Sequence, residues 1–190
     1  QAITPLADWT KKSVGENEAI LSPHPESGFA INALTGKKVV VARRTHASPF
    51  VDINKRNADA AVMLYGKNDD KVKELIREYN VKYVYEDLQT FNSGSTCLQF
   101  FQVAENPQYR DGSLSCLTTN LTYKQYLIDN GVEFVQVKAR LDPASAVAPT
   151  FDLLAIKPTN FSNYMRQNSE VVQSVVIGNQ ILATITKVGE

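Results

Sequence analysis

Two histidines stand in the 190-residue chain, His24 and His46, and each follows a short apolar run in a segment rich in polar and charged groups. Near them lie Glu26, Arg43, Arg44 and Asp52. Together these six residues offer imidazoles, carboxylates and guanidinium forks, a set suited to binding a polar or charged ligand. Two imidazoles with two carboxylates also match the donor types of a zinc site, although no dense ligand motif such as His-x-x-x-His is present, so no metal is assigned. The plainer expectation is that Arg43 and Arg44 pair with Glu26 or Asp52 and order their loops. Other chemistries find less support. The sequence lacks a Gly-x-Ser-x-Gly elbow, no histidine neighbours either cysteine, and Gly28 and Gly36 are isolated, so neither nucleophilic hydrolysis nor a glycine-rich phosphate loop is indicated. No catalytic residue and no cofactor is therefore expected in this domain.

The elements that must position these residues can be read from the pattern. Thr4 and Pro5 open a short helix that carries Leu6 and Trp9 and stops at Gly15. Ala19–Ser22 reads as a buried strand, followed by a breaker run, Pro23 to Gly28, and a helical turn from Phe29 to Leu34. Lys38–Ala42 is continuous and β-branched, as in a parallel strand covered on both faces. Asp52 caps a helix over about Ile53–Leu64 that Gly66 closes, and Asn68 precedes a second helix bearing Val72, Leu75, Ile76 and Tyr79. Asn80 is its left-handed terminator. Val81–Glu86 alternates and is a strand, and the order helix, turn, strand defines a layered α/β fold. The eight tyrosines offer stacking platforms for sugars, but Tyr65, Tyr79, Tyr83 and Tyr85 fall at periods that send them to the core.

Asp87 to Leu117 breaks this rhythm with Ser, Gly, Gln and Asn, around an apolar patch at Leu98–Val103. A helix from Leu121 to Asn130 and a strand over Val132–Val137 restore it. Val171–Ile177 and Gln180–Thr186 flank Gly178-Asn179, which predicts a closing β-hairpin. The expectation is one α/β domain over residues 1–190, with a layered sheet that is largely parallel in its N-terminal half.

Composition narrows the function classes. The apolar fraction is 43% and the charged fraction 21%, values of a globular chain. Twenty basic and twenty acidic residues cancel, leaving no field to attract nucleic acid. No apolar run approaches the roughly 20 residues of a membrane span. Gln1 in place of Met suggests a processed product or, by preference, a piece of something longer.

Cys97 and Cys116 have no other metal ligand close by and read most simply as a disulfide. It would stabilise the fold by about 3 kcal/mol and persist in an oxidising compartment; the alternative is two buried thiols. Asn120-Leu121-Thr122 and Asn160-Phe161-Ser162 are acceptor sequons that agree with such a compartment.

Several stretches between Asp8 and Glu86 also carry a family likeness: Gly15–Ser22, Ala33–Val41, Arg43-Arg44-Thr45-His46-Ala47 and Tyr79–Tyr85. Together they resemble the extracytoplasmic C-terminal domain of archaeal multi-spanning membrane glycosyltransferases of the GT-C class, and the similar segment of oligosaccharyltransferase catalytic subunits. The resemblance covers somewhat under half of the chain. It departs where oligosaccharyltransferases carry a Trp-Trp-Asp-Tyr-Gly acceptor motif, since Pro23-His24-Pro25-Glu26-Ser27-Gly28 stands there. Sequon recognition of that kind is therefore not carried over.

The resemblance implies a domain at the extracytoplasmic face of the cell membrane that is joined to a transmembrane part of the same polypeptide. That part would hold the catalytic carboxylates, so the isolated domain would be inactive. Implied ligands are a glycan, a lipid-linked sugar or a protein acceptor. Two other readings stand beside it. One is a cell-surface interaction module that uses the Cys97–Cys116 region, and the other a metal-dependent enzyme built on His24 and His46.

Overall fold

The computed structural model describes residues 4–41, 43, 48–91, 114–140, 147 and 149–189. A five-stranded sheet has the order β2-β1-β3-β8-β7, with β1 Ala19–Leu21, β2 Lys38–Val39, β3 Val81–Asp87, β7 Ser169–Ile177 and β8 Gln180–Val188. β1 runs parallel to both β2 and β3, whereas β8 joins β3 antiparallel and folds back on β7 through the predicted Gly178-Asn179 turn.

The period-two alternation of strands sorts the core into two layers. On one face Ile20, Tyr83 and Tyr85 pack with Leu6 of α1 (Thr4–Ser13) and Ile31 of α2 (Pro25–Thr35). Trp9 completes that layer by meeting Tyr83 edge-on, with ring centroids 5.7 Å apart. On the other face Leu21 and Val84 pack with α3 (Ile53–Tyr65) and with Val72, Leu75 and Ile76 of α4 (Asp69–Glu78).

α3 is the central helix. Every residue from Asn57 to Tyr65 is buried, so its polar members look for partners inside the protein, and among the described residues Asn57 Oδ1 finds none. Asn57 Nδ2 donates to Thr118 O at 2.7 Å. Asp59 accepts from Lys55 Nζ at 2.6 Å, Tyr79 OH at 2.7 Å and Tyr126 OH at 2.8 Å. Asn80 ends the α4 segment at φ 51°, the left-handed conformation expected of it.

Four features differ from the sequence expectation. First, α2 begins at Pro25, inside the run read as a breaker: proline suits the first helical position because its missing N–H has no partner there anyway, and His24 supplies the cap. Second, β2 is an edge strand. Val40 and Val41 beyond it are buried, and Val40 N donates to Ile20 O at 3.0 Å, but the other side of the strand is unpaired among the described residues. Third, a second, antiparallel sheet is present, β4-β6-β5, from β4 Thr118–Thr119, β5 Phe134–Arg140 and β6 Thr150–Ile156. β6 has weak polar alternation, so its strand character comes from pairing across Phe134↔Ile156 to Arg140↔Thr150. Fourth, the Leu121–Asn130 helix divides into a 3₁₀ turn, Leu121–Tyr123, and α6, Lys124–Asp129. Two short helices, α5 (Leu88–Phe91) and α7 (Asn163–Gln167), complete the described elements.

The Leu98–Val103 patch lies outside the described residues, as does Cys97. Cys116 is half-buried against the core of the second sheet.

Candidate functional site at the strand ends

β1, β2 and β3 are parallel, so their carboxyl ends share one edge of the sheet. The strand order 2-1-3 means that the chain leaves β1 toward one side and returns on the other. In open α/β sheets the crevice at such a switch point is the usual place for a ligand.

Four buried polar residues meet there: His24 and Ser27 at the start of α2, and Tyr85 and Asp87 at the end of β3. Ser27 Oγ donates to Asp87 Oδ1 at 2.6 Å, and Tyr85 OH donates to Asp87 Oδ2 at 3.1 Å. Thr90 N also donates to Oδ1, at 3.3 Å. Burial and the neighbouring carboxylate together push the Tyr85 phenol well above its ordinary range, so it stays a donor.

His24 is wholly buried. Its Nδ1 accepts from Glu26 N at 3.1 Å, which caps α2 and assigns the imidazole proton to Nε2. Desolvation lowers the pKa below 6.5, against the opposing pull of Asp87 and Glu26, so the ring is neutral at pH 7. Nε2 is then a buried N–H donor, and it has no hydrogen-bond partner among the described residues. A donor left in this state costs about 1–3 kcal/mol, and a ligand oxygen would recover that cost.

Gly28 sets how closely α2 packs at this edge. A Cβ there would overlap the Val41 carbonyl oxygen, so only glycine lets α2 approach the β2 backbone this closely. At the rim Arg43 forms an ion pair with Glu26, and its guanidinium lies 4.7 Å from the centroid of the Phe29 ring. Hydrogen bonding to Glu26 raises the Arg43 pKa further.

Of the six ligand residues named from sequence, His24, Glu26 and Arg43 therefore gather here. Arg44 and His46 lie outside the described residues. Asp52 is occupied elsewhere, since its Oδ1 caps α3 by accepting from Asn54 N and Lys55 N, and its Oδ2 accepts from Tyr123 OH at 2.5 Å. That last bond lowers the Asp52 pKa and pushes the Tyr123 phenol up to about 12.

Sequence reading missed Ser27, Tyr85 and Asp87. The available signal was the acidic residue closing the aromatic strand Val81–Glu86, whose end faces the same edge as His24 once the strands are known to be parallel. Among the described residues no group of three or more His, Cys, Asp or Glu is placed to hold a metal ion.

The two sequon asparagines sit in different settings. Asn120 is partly buried, and its Oδ1 accepts from Thr122 N at 3.2 Å, whereas Asn160 is exposed. Ser162 of the second sequon is buried and donates to Met63 O at 2.9 Å.

No protein-family model matches the chain, and no curated protein sequence does. Among solved structures, the chain aligns with the C-terminal globular domain of an oligosaccharyltransferase from Archaeoglobus fulgidus. The identity is 12% and the TM-score 0.44, over 99% of this chain and 97% of that one. It aligns likewise with the C-terminal domain of C. jejuni PglB, at 11% identity and TM-score 0.43, over 99% of both. Among the described residues no helix is long and apolar enough to cross a membrane.

Proposed function

We propose that this chain is an extracytoplasmic auxiliary domain of a glycosyltransferase-like membrane protein, and that its strand-end crevice positions an oxygen-rich acceptor or lipid-linked donor. The observation that carries the reading is the buried His24 Nε2–H beside the β1/β3 switch point, a donor without an acceptor among the described residues. A glycan hydroxyl or a peptide carbonyl supplies the missing oxygen. Arg43 and Glu26 at the rim offer further polar contacts. The residues at the strand ends suit binding: the buried Ser27 hydroxyl donates to Asp87 Oδ1 and holds the first turn of α2 against the end of β3. The compartment assignment draws on the Cys97–Cys116 pair, as a disulfide, and on the Asn120 and Asn160 sequons.

The test uses His24→Asn in the membrane-embedded polypeptide. Asparagine keeps an N-cap acceptor but removes Nε2. Positioning predicts a several-fold rise in KM for acceptor or donor with kcat little changed. Transfer kinetics identical to wild type in a folded variant would sink the reading.

A second reading, a cell-surface interaction module, is favoured by the β7–β8 hairpin, which exposes Val171, Val176, Ile177 and Ile181.

A further inference from the structure

A concavity of about 430 Å³ lies beside the edge strand β2, between the amino ends of β1 and β2 and the first turn of α3. It shares no lining residue with the strand-end crevice. Its volume falls within the range of small-molecule sites, about 300–1,000 Å³.

Its charge is one-sided. Lys38 and Arg56 line it, and among the described residues no carboxylate does. Lys38 Nζ donates to the neutral Asn17 Oδ1 at 3.1 Å, which leaves its charge uncompensated by that contact. The Arg56 guanidinium makes no ion pair among the described residues, although it is only part-exposed. Tyr79 lines the same cavity.

The nearest buried carboxylate is already spent. Asp59 lies behind Tyr79, and Lys55, Tyr79 and Tyr126 occupy it. The rest of the wall is mixed: Val39, Val51, Ile53 and Tyr79 supply its apolar part, and Asn32 and Ser48 add neutral polar groups. An unpaired guanidinium fork with an ammonium selects an oxyanion, and the apolar part of the wall selects what the oxyanion is attached to.

We propose that this cavity is a binding site for a small organic oxyanion, a phosphate monoester or carboxylate carried on an apolar or aromatic body. The anion sits on Arg56 and Lys38, and the body packs on Val39, Val51 and Tyr79. The inference is independent of the strand-end reading, since neither site uses a residue of the other.

Phenyl phosphate is the probe, followed by amide chemical shifts of the chain during titration. The site predicts saturable shifts at Val39–Val40 and Ile53–Arg56. It also predicts affinity about tenfold lower in Arg56→Gln and weakening as salt is raised. Inorganic phosphate should bind more weakly for want of the apolar contact, and neutral benzyl alcohol for want of the anion. Lys73→Gln, on α4 and outside the cavity lining, should leave binding unchanged. Val51→Asp, which adds a carboxylate to the wall, should abolish it, and serves if Arg56→Gln proves poorly folded. The proposal is overturned by non-saturating shifts, by equal affinity in wild type and both folded cavity variants, or by benzyl alcohol binding as well as phenyl phosphate.

Discussion

Ser27 and Asp87, sixty residues apart in sequence, are joined by a buried hydrogen bond of 2.6 Å that ties the first turn of α2 to the carboxyl end of β3. Asp87 also accepts from Tyr85 OH and Thr90 N, so one carboxylate orders three donors at the mouth of the switch point. Removing the carboxylate leaves two buried hydroxyls without it. Asp87→Ala should therefore destabilise by about 3 kcal/mol and Ser27→Ala by about 1–2 kcal/mol, as read by urea unfolding. Equal and small losses would mean that the network contributes little.

The Gly28–Val41 approach predicts a steric effect of a single methyl group. Gly28→Ala should cost about 2 kcal/mol or more, because the obstacle is backbone and cannot rotate away. Gly36→Ala meets no atoms but sits at φ 72°, so it should cost about 1–2 kcal/mol through the left-handed backbone alone. Thermal unfolding of the two variants separates packing from backbone strain.

Asp59 anchors α3 to α4 and α6 through Tyr79 and Tyr126. Each Tyr→Phe change should cost about 1–2 kcal/mol. The double variant should depart from additivity, because both hydroxyls share one carboxylate. A double-mutant cycle measures that coupling, and strict additivity would contradict a shared network.

Glu86 gives a pH signature. Burial raises its pKa from 4.5 to about 7 in the folded state. Between those values the native state holds a proton that the unfolded chain releases, so stability falls as pH rises from 4.5 to 7 and stays lower above. Relative to wild type, Glu86→Gln should gain up to about 3 kcal/mol over that interval, with no gain at pH 4. Urea unfolding of both proteins at several pH values provides the check. His24 acts in the opposite sense: its lowered pKa means stability that is present above 6.5 and lost as pH falls below it.

Much of the framework was legible in the residues because local chemistry and tertiary packing agree there. Asn68 and Asp52 cap the helices they precede, Asn80 takes the left-handed turn, and Gly178-Asn179 closes the hairpin. Tyr65, Tyr83 and Tyr85 are buried, and Tyr79 packs at the core's edge. The start of α2 was obscured because Pro25 and Gly28 signal breaks in isolation. Here one fills the first helical position and the other is a packing glycine. β6 was missed because pairing with β5, not its own pattern, makes it a strand. The candidate site was half legible. His24, Glu26 and Arg43 could be named from their types, but Asp87 joins them only through strand order, which no local window contains. Asp52 was read both as a helix cap and as a ligand, because an N-cap aspartate and a binding aspartate look alike in sequence, and the structure shows the cap.

The most direct test of the strand-end site is ¹⁵N NMR of the His24 imidazole, free and with an oligosaccharide or a short peptide added. The account predicts a neutral ring with its proton on Nε2 and an apparent pKa below 6.5, and a downfield move of that N–H as ligand oxygen engages it. An imidazole that titrates at 6.5 or above, or one that no such ligand perturbs, would contradict it.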